Sequence, residues 1–310
     1  MKIIKNKLFQ KIIVNLILVA IIIWFIFFVK GHWSEFQIIK TISVSDIIIL
    51  LILNFVALIF EGMILKIILQ PFKINLKSME WFGLNVLSSF GNVVFPFGGW
   101  GVRGVYLKKK HNFDYASFLS VLAVITIFEL IVFSVGGLIG LTYWWAKTGS
   151  IDQWLWIIFS LVTVGGLAFI LLPIKLQIKP SGFFNRLSEI LKSWEWLKEQ
   201  KLVLIKIILL MIGYFVVNAT IFYWAFRVFG FSIPWLANFI PNCLSNYTLI
   251  IRLLPASIGV YEGAVVYSAR LFSLDVAQAL VVAEVVRLTY LFWLFVLTPV
   301  FSYILIKKTK

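Results

Sequence analysis

Several ionisable residues lie inside strongly apolar stretches of this 310-residue sequence, and seven of them are candidates for a functional site. A charged side chain at the centre of a bilayer costs about 2.5 kcal/mol or more, so such residues are rare and mark functional sites by default. One of the seven is Glu61, in the stretch 46–70. We assign the other six to a binding site for a charged group: Arg103, Glu129, Arg252, Glu262, Glu284 and Arg287.

The residue types indicate what this site would bind. The planar guanidinium of arginine bonds two oxygens of a phosphate at once, which suits Arg103, Arg252 and Arg287 to an anionic group. The glutamates would balance that charge or bind a cationic group. Glu284 and Arg287 are three residues apart and share a helix face. They could equally pair with each other and hold the helices together, and the sequence leaves both possibilities open.

Four asparagines accompany these charges in segments rich in Gly and Pro. Amide side chains there either cap interrupted helix backbone or face a polar cavity. We predict that the following residues line a cavity: Asn85, Asn92, Asn242 and Asn246.

The elements that must hold these residues are apolar helices. Hydrophobic residues make up 62% of the chain and charged residues 13%, with a mean hydropathy of +1.01. A run of about 18 or more apolar residues is long enough to cross a bilayer. Six runs qualify, which predicts an all-α polytopic membrane protein. They cover roughly residues 12–29, 46–70, 116–145, 153–173, 202–229 and 276–306.

Two more apolar segments, 81–107 and 235–272, are interrupted by Gly, Pro and Asn. If each enters and leaves the membrane on one side, 18 Lys and Arg face the cytoplasm and five face outside. If each crosses once, the split becomes 11 and 12. Positive residues concentrate on the cytoplasmic side of membrane proteins. The sequence therefore predicts two re-entrant helical hairpins, cytoplasmic N- and C-termini and residence in the cell membrane.

The interrupted segments resemble each other and predict an internal repeat. Pro96 is followed by Gly101 and Gly104, and Pro255 by Gly259 and Gly263. The offset between matching positions drifts from 157 to 161. Opposite orientation of the two copies would make this an inverted-topology repeat, which is typical of transporters.

The repeat defines the organisation of a single membrane domain, 1–310. The first repeat is 46–145, the connector is 146–201 and the second repeat is 202–306. Residues 183–201 show helical spacing of apolar residues, which indicates either an amphipathic helix on the cytoplasmic surface or an ordinary linker helix. Asp114 and Asp275 have the spacing of helix N-caps, the second in a capping box with Gln278.

Several function classes receive no support. Cys243 is the only cysteine and there are two histidines, so a Cys- or His-based metal site is not expected. No phosphate-binding loop, nucleophile elbow or zinc-protease motif occurs, and we expect neither enzyme activity nor a cofactor. The net charge of +15 reflects basic flanks of apolar spans rather than nucleic-acid binding.

The interrupted segments carry a resemblance to a known family. Residues 96–104, 255–263 and 281–287 resemble the flippase-like membrane domain of lysylphosphatidylglycerol synthases, a family that also has stand-alone members. The family's second hairpin usually has a Gly-Gly-x-Gly stretch, where this chain has Ser257 and Ile258 in the first two places. A Glu-Arg pair is typical after the first hairpin, whereas Glu129 precedes Leu130 here. The chain stops at Lys310 after the last span, so the aminoacyl-transfer activity of the synthases is not expected.

The resemblance implies a lipid translocator and gives the charged site a ligand. The six residues would hold the head group of an anionic or aminoacylated phospholipid, or of a polyprenyl-phosphate lipid, while it moves between leaflets. Alternatives are a secondary transporter of a small polar solute or ion, and a non-catalytic membrane subunit that supports a lipid- or glycan-modifying enzyme. Such an enzyme, or a second copy of the chain, is the possible protein partner.

Overall fold

The computed structural model describes residues 30, 42–171, 194–251 and 254–307, and this part of the chain is helical and contains no strands. The α-helices follow one another along the chain, joined by turns and short 3₁₀ segments. They are α1 (Val44–Leu69), α2 (Ser78–Val94), α3 (Gly98–His111), α4 (Tyr115–Thr148), α5 (Gln153–Leu171), α6 (Lys201–Val228), α7 (Phe239–Ile251), α8 (Val260–Ala269) and α9 (Val276–Lys307).

Five of the predicted membrane spans are confirmed as helices long and apolar enough to cross a bilayer. They occupy Val44–Phe72, Tyr115–Thr148, Gln153–Leu171, Lys201–Val228 and Val276–Leu305. Apolar side chains cover much of their outer surface, for example Leu161, Leu209 and Phe295, which are each more than half exposed. The predicted first span, 12–29, lies outside the described residues.

Side-chain caps start the long helices where the sequence predicts them. Asp114 accepts hydrogen bonds from the backbone N–H groups of Ala116, at 2.7 Å, and Ser117, at 3.3 Å. Asp275 and Gln278 form the predicted capping box, in which each side chain accepts from the backbone N–H of the other. These bonds satisfy donors that the first helical turn leaves unpaired. Both predicted caps are confirmed.

Each interrupted segment forms two short helices, and we call α2–α3 the first helical pair and α7–α8 the second. Residues 95–97 join the first pair. Glycines allow its arms to meet at the turn, since a Cβ on Gly99 would lie 2.2 Å from the carbonyl oxygen of Ser88. A Cβ on Gly98 would lie equally close to the carbonyl oxygen of Gly91. Any larger residue would force the arms apart.

Each helical pair packs on a long helix from the other half of the chain. α1 packs along α6 at the centre. α2, from the first half, packs on α9, which ends the second half. α7, from the second half, packs on α4, which ends the first. Both pairs therefore lie at the junction of the halves.

Residues 194–199 pack against the protein. Trp194 and Leu197 are buried in an apolar cluster, where the Trp194 ring contacts that of Phe169. The remaining part of the predicted amphipathic helix, 183–193, lies outside the described residues.

Candidate functional site

A cavity of about 190 Å³ lies where the two helical pairs meet the central helices. Helices α1 to α4 and α6 to α9 all contribute to its wall, together with the turn that joins α7 to α8. Four charged residues lie on this wall, two cationic and two anionic: Arg103, Arg287, Glu61 and Glu129. A polar cavity of this kind is unusual in a bundle whose outer surface is apolar.

Arg103 is held by an ion pair within the first half. Its Nη2 lies 3.2 Å from the Glu61 carboxylate and donates to the Asn85 side-chain oxygen at 2.7 Å. Asn85 in turn donates to Glu61 at 3.3 Å, and Ser89 donates to the same carboxylate at 3.5 Å. Arg103 is only 8% exposed. Its charge is thus compensated by Glu61 and its orientation fixed by Asn85.

The start of α3 determines where Arg103 points. Asn92 accepts a hydrogen bond from the backbone N–H of Gly99 at 2.8 Å, which ties the end of α2 to the first turn of α3. Asn92 also lies on the cavity wall. This asparagine therefore has both of the roles that the sequence left open, a cap and a lining residue.

Arg287 is held by an ion pair within the second half. Its Nη1 contacts the carboxylate of Glu262, and its Nη2 donates to the backbone oxygen of Ala256 at 3.4 Å. The guanidinium also lies over the ring of Tyr261, 4.8 Å from the ring centre. Glu262 is 7% exposed and accepts from the Gly259 N–H at 2.6 Å.

The turn beneath Arg287 has an unfavourable backbone. Ala256 and Ser257 have φ angles of 51° and 52°, in the left-handed region that non-glycine residues rarely adopt. Ser257 is buried. Its hydroxyl donates to the Thr248 carbonyl at 3.0 Å, which holds the turn against α7. Strained backbone of this type concentrates at ligand-binding sites.

The remaining predicted charges divide between the wall and the layer behind it. Glu129 lies on the wall, where Tyr214 interacts electrostatically with both Glu61 and Glu129. Glu284 is half-buried behind the wall, close to Glu262 and Arg287. Arg252 lies outside the described residues.

The four predicted asparagines divide in the same way. Asn92 and Asn246 are on the wall. Asn85 and Asn242 are fully buried and bond to backbone carbonyls of neighbouring helices, Leu58 and Phe215. Buried amides need such partners because an unpaired polar group in an apolar interior is costly.

Sequence reasoning left several polar wall residues out of the site. They are Glu61, Asn54, Tyr214, Asn218 and Tyr290. Glu61 carried the same signal as Arg103, an ionisable side chain in an apolar run. The tyrosines and the two asparagines each lie alone in a long apolar helix. A single uncharged polar residue in such a helix does not by itself predict a binding site.

The wall residues recur at the offsets of the sequence repeat. Positions 157 apart include the pairs Glu61 with Asn218 and Ser89 with Asn246, all four on the wall. Positions 161 apart include Glu129 with Tyr290 and Thr126 with Arg287, again all on the wall. Positions related by these offsets thus line one cavity, and in three of the four pairs one member is charged and the other neutral.

A second polar cluster, which we call the Glu80 cluster, joins the start of α2 to the end of α3. Glu80 accepts from His111 at 2.7 Å and from Tyr106 at 2.9 Å, and Lys110 lies 3.1 Å away. Burial alone would raise the pKa of Glu80, but hydrogen bonds from His111, Tyr106 and Lys110 outweigh it, and the net shift of this pKa is downward. Glu80 and its partners are not part of the cavity wall.

Comparison with known proteins assigns the chain to a family. Among curated proteins, no sequence matches the chain significantly. The family model described as lysylphosphatidylglycerol synthase TM region matches residues 12–298, which include both helical pairs and the whole described cavity wall. The resemblance found in the sequence is thereby confirmed. The chain belongs to the family of the lysylphosphatidylglycerol synthase transmembrane region.

Proposed function

We propose that this protein moves a lipid with an anionic or aminoacylated head group, such as a phospholipid or a polyprenyl phosphate, from one leaflet to the other. The observation that carries the proposal is the cavity with charged residues at its wall, among them the buried Arg103 and the half-buried Arg287, inside a bundle of helices long and apolar enough to span a membrane. Family membership supports a lipid-related role in the membrane.

The physical problem of lipid translocation is the polar head group. Moving a charge through hydrocarbon costs several kcal/mol, while the acyl chains already have a favourable environment. A cavity of about 190 Å³ has room for several water molecules and could shelter a polar head group from hydrocarbon. The tails would stay in the bilayer.

The wall offers complementary charge to such a head group. Arg103 has donor capacity to spare, because its buried Nε has no hydrogen-bond acceptor among the described residues. A phosphate oxygen would be a stronger partner for an arginine than a neutral group. Glu61 and Glu129 on the same wall would attract the ammonium group of an aminoacylated head group. One cavity could therefore accept either lipid class.

The short helices favour re-entrant pairs. The longest has 17 residues and reaches about 25 Å at ~1.5 Å per residue, short of a hydrocarbon core about 30 Å thick. Each pair would enter and leave on one side and bring its turn toward mid-depth. Together with the asymmetry of 18 to five basic residues, this supports cytoplasmic termini in the cell membrane.

The repeated contacts favour an inverted repeat of residues 46–145 and 202–306. A pseudo-two-fold axis in the membrane plane would make each helical pair pack on the other half. It would also place matching positions of both halves on the cavity wall. Two such halves can rock against each other and open the central cavity to either side.

Lipids that copurify with the protein test the proposed substrate class. Native mass spectrometry of the detergent-solubilised protein should show enrichment of anionic or aminoacylated lipids over their share in the source membrane. The Arg103→Gln, Arg287→Gln double variant should lose this enrichment, while Lys109→Gln, on the exposed side of α3, should keep it. Wild-type protein whose bound lipids match the bulk membrane composition would count against the proposal.

A further inference from the structure

Three ionisable groups, one on the cavity wall and two behind it, do not balance in charge. Glu262 on α8 faces Arg287 on α9, and Glu284 lies one helical turn before Arg287. The Glu284 carboxyl lies close to the Glu262 carboxyl. Within the described residues, the titratable or charged groups that face these two carboxyls are Arg287 and Tyr261. Among the described residues, two carboxylates with one guanidinium leave one negative charge without a counter-charge in a largely buried place.

Both oxygens of the Glu262 carboxylate already have a partner. Its Oε2 accepts from the Gly259 N–H, and its Oε1 lies against the Arg287 guanidinium. Ionised carboxylates only accept hydrogen bonds, so two ionised carboxylates side by side repel each other, whereas a protonated carboxyl can donate to its neighbour. A proton on Glu284 therefore removes the repulsion between the two carboxyls and the excess charge.

We propose that Glu262 and Glu284 form a proton-binding site, and that its protonation controls whether Arg287 is free to bind an anion in the cavity. Arg287 is on the cavity wall, while Glu262 and Glu284 are behind it. The guanidinium therefore lies between two competing anions, the Glu262 carboxylate and an anionic head group.

The competition couples anion and proton binding. An anion that takes Arg287 breaks the ion pair with Glu262 and leaves that carboxylate buried without its counter-charge. Glu262 then takes a proton from hydronium in the bulk solvent, which leaves a water molecule and forms an O–H bond, while Glu284 keeps its own proton. Because coupling between two ligands is reciprocal, a proton on Glu262 also favours the anion. For transport, this inference rests on the proposed function and identifies the proton as the coupling ion.

Infrared spectroscopy tests the proton site without any lipid. The protein at neutral pH should show the C=O stretch of a protonated, buried carboxyl. Glu284→Gln should abolish this band. Glu262→Gln should abolish it too, although Glu284 is still present, because one carboxylate and one guanidinium then balance. Glu199→Gln, at an exposed position, should leave it unchanged. A missing band in the wild type, or a band that persists in both single variants, overturns the proton site.

Binding of short-chain phosphatidylglycerol tests the control of Arg287. The wild-type dissociation constant should fall as pH is lowered, by at most about tenfold per pH unit, the limit for one linked proton. The Glu262→Gln, Glu284→Gln double variant should bind the probe with an affinity independent of pH. A pH-independent wild type, or a double variant that keeps the wild-type slope, overturns the coupling. A wild type that binds no probe at any pH would defeat the proposed lipid function, and the infrared band would still decide the proton site.

Discussion

Asn85 and Asn242 make the same hydrogen bond in the two halves of the protein. Each side-chain Nδ2 donates at 3.1 Å to a backbone oxygen 27 residues earlier in the chain, that of Leu58 for Asn85 and that of Phe215 for Asn242. Each bond ties the first helix of a helical pair to the central helix of the same half. The two pairs are therefore anchored by matching contacts, which supports the proposed repeat.

Loss of either anchor should destabilise the protein, and the loss should be larger at Asn85, which also bonds to Arg103 and Glu61. Asn85→Ala and Asn242→Ala should each lower the free energy of unfolding by at least about 1 kcal/mol, because each variant loses a buried hydrogen bond between two helices. Thermal unfolding in detergent measures this, with the exposed Ser150→Ala as a control that should stay near the wild-type melting temperature. Destabilisation in only one of the two asparagine variants would contradict the matching anchors.

The ion pair of Glu61 and Arg103 should show strong coupling in stability. Removal of one partner from a buried pair costs about 3–5 kcal/mol, because the other charge is left uncompensated. Arg103→Gln and Glu61→Gln should each destabilise the fold, and the double variant should recover part of that loss. A double-mutant cycle from unfolding free energies measures the coupling. Additive losses in the double variant would mean that the two side chains do not act as a pair.

The Glu80 cluster predicts that acid weakens the connection between the start of α2 and the end of α3. Since the pKa of Glu80 is lowered in the folded protein, its stabilising effect is full above the glutamate pKa of the unfolded chain. The effect is lost as pH falls through the lowered folded-state value. Glu80→Gln should therefore melt below the wild type at neutral pH, and the difference should shrink in acid. A constant difference across the pH range would contradict this, and the exposed Glu199→Gln serves as a control.

The proposed topology predicts that the end of α3 faces the cytoplasm. Cys243 is the only cysteine and is buried, so a Lys109→Cys variant should provide a single accessible thiol. A membrane-impermeant maleimide should label it after permeabilisation but not in intact cells. Labelling of intact cells would reverse the assigned orientation of the first helical pair.

Sequence pattern was sufficient for the long helices and for their caps. Apolar runs long enough to cross the hydrocarbon core of a bilayer predict helices. An aspartate just before such a run predicts an N-cap, as Asp114 illustrates. The choice of ion-pair partners could not be predicted in this way. Arg287 pairs with Glu262, on another helix, rather than with Glu284 on its own helix face. Spacing along one helix says which side chains share a face, but the partner depends on how α8 packs on α9.

The asparagines show the same limit at the cavity. Asn85 and Asn92 lie seven residues apart on α2, yet Asn85 bonds to α1 and Asn92 caps α3 from the cavity wall. Their positions relative to the wall follow from the close approach of α2 and α3 at their glycines, which is a tertiary contact. Composition identifies such residues as buried polar groups and leaves their partners open.

Translocation of fluorescent phosphatidylglycerol in sealed vesicles tests the central claim most directly. With dithionite added outside, vesicles that contain the wild-type protein should lose inner-leaflet fluorescence faster than empty vesicles. The Arg103→Gln, Arg287→Gln double variant should slow this loss at least about tenfold, or ~1.4 kcal/mol in the barrier, while the exposed pair Lys109→Gln, Arg270→Gln should keep the wild-type rate. A wild-type rate equal to that of empty vesicles, or an unchanged rate in the cavity double variant, would contradict the account.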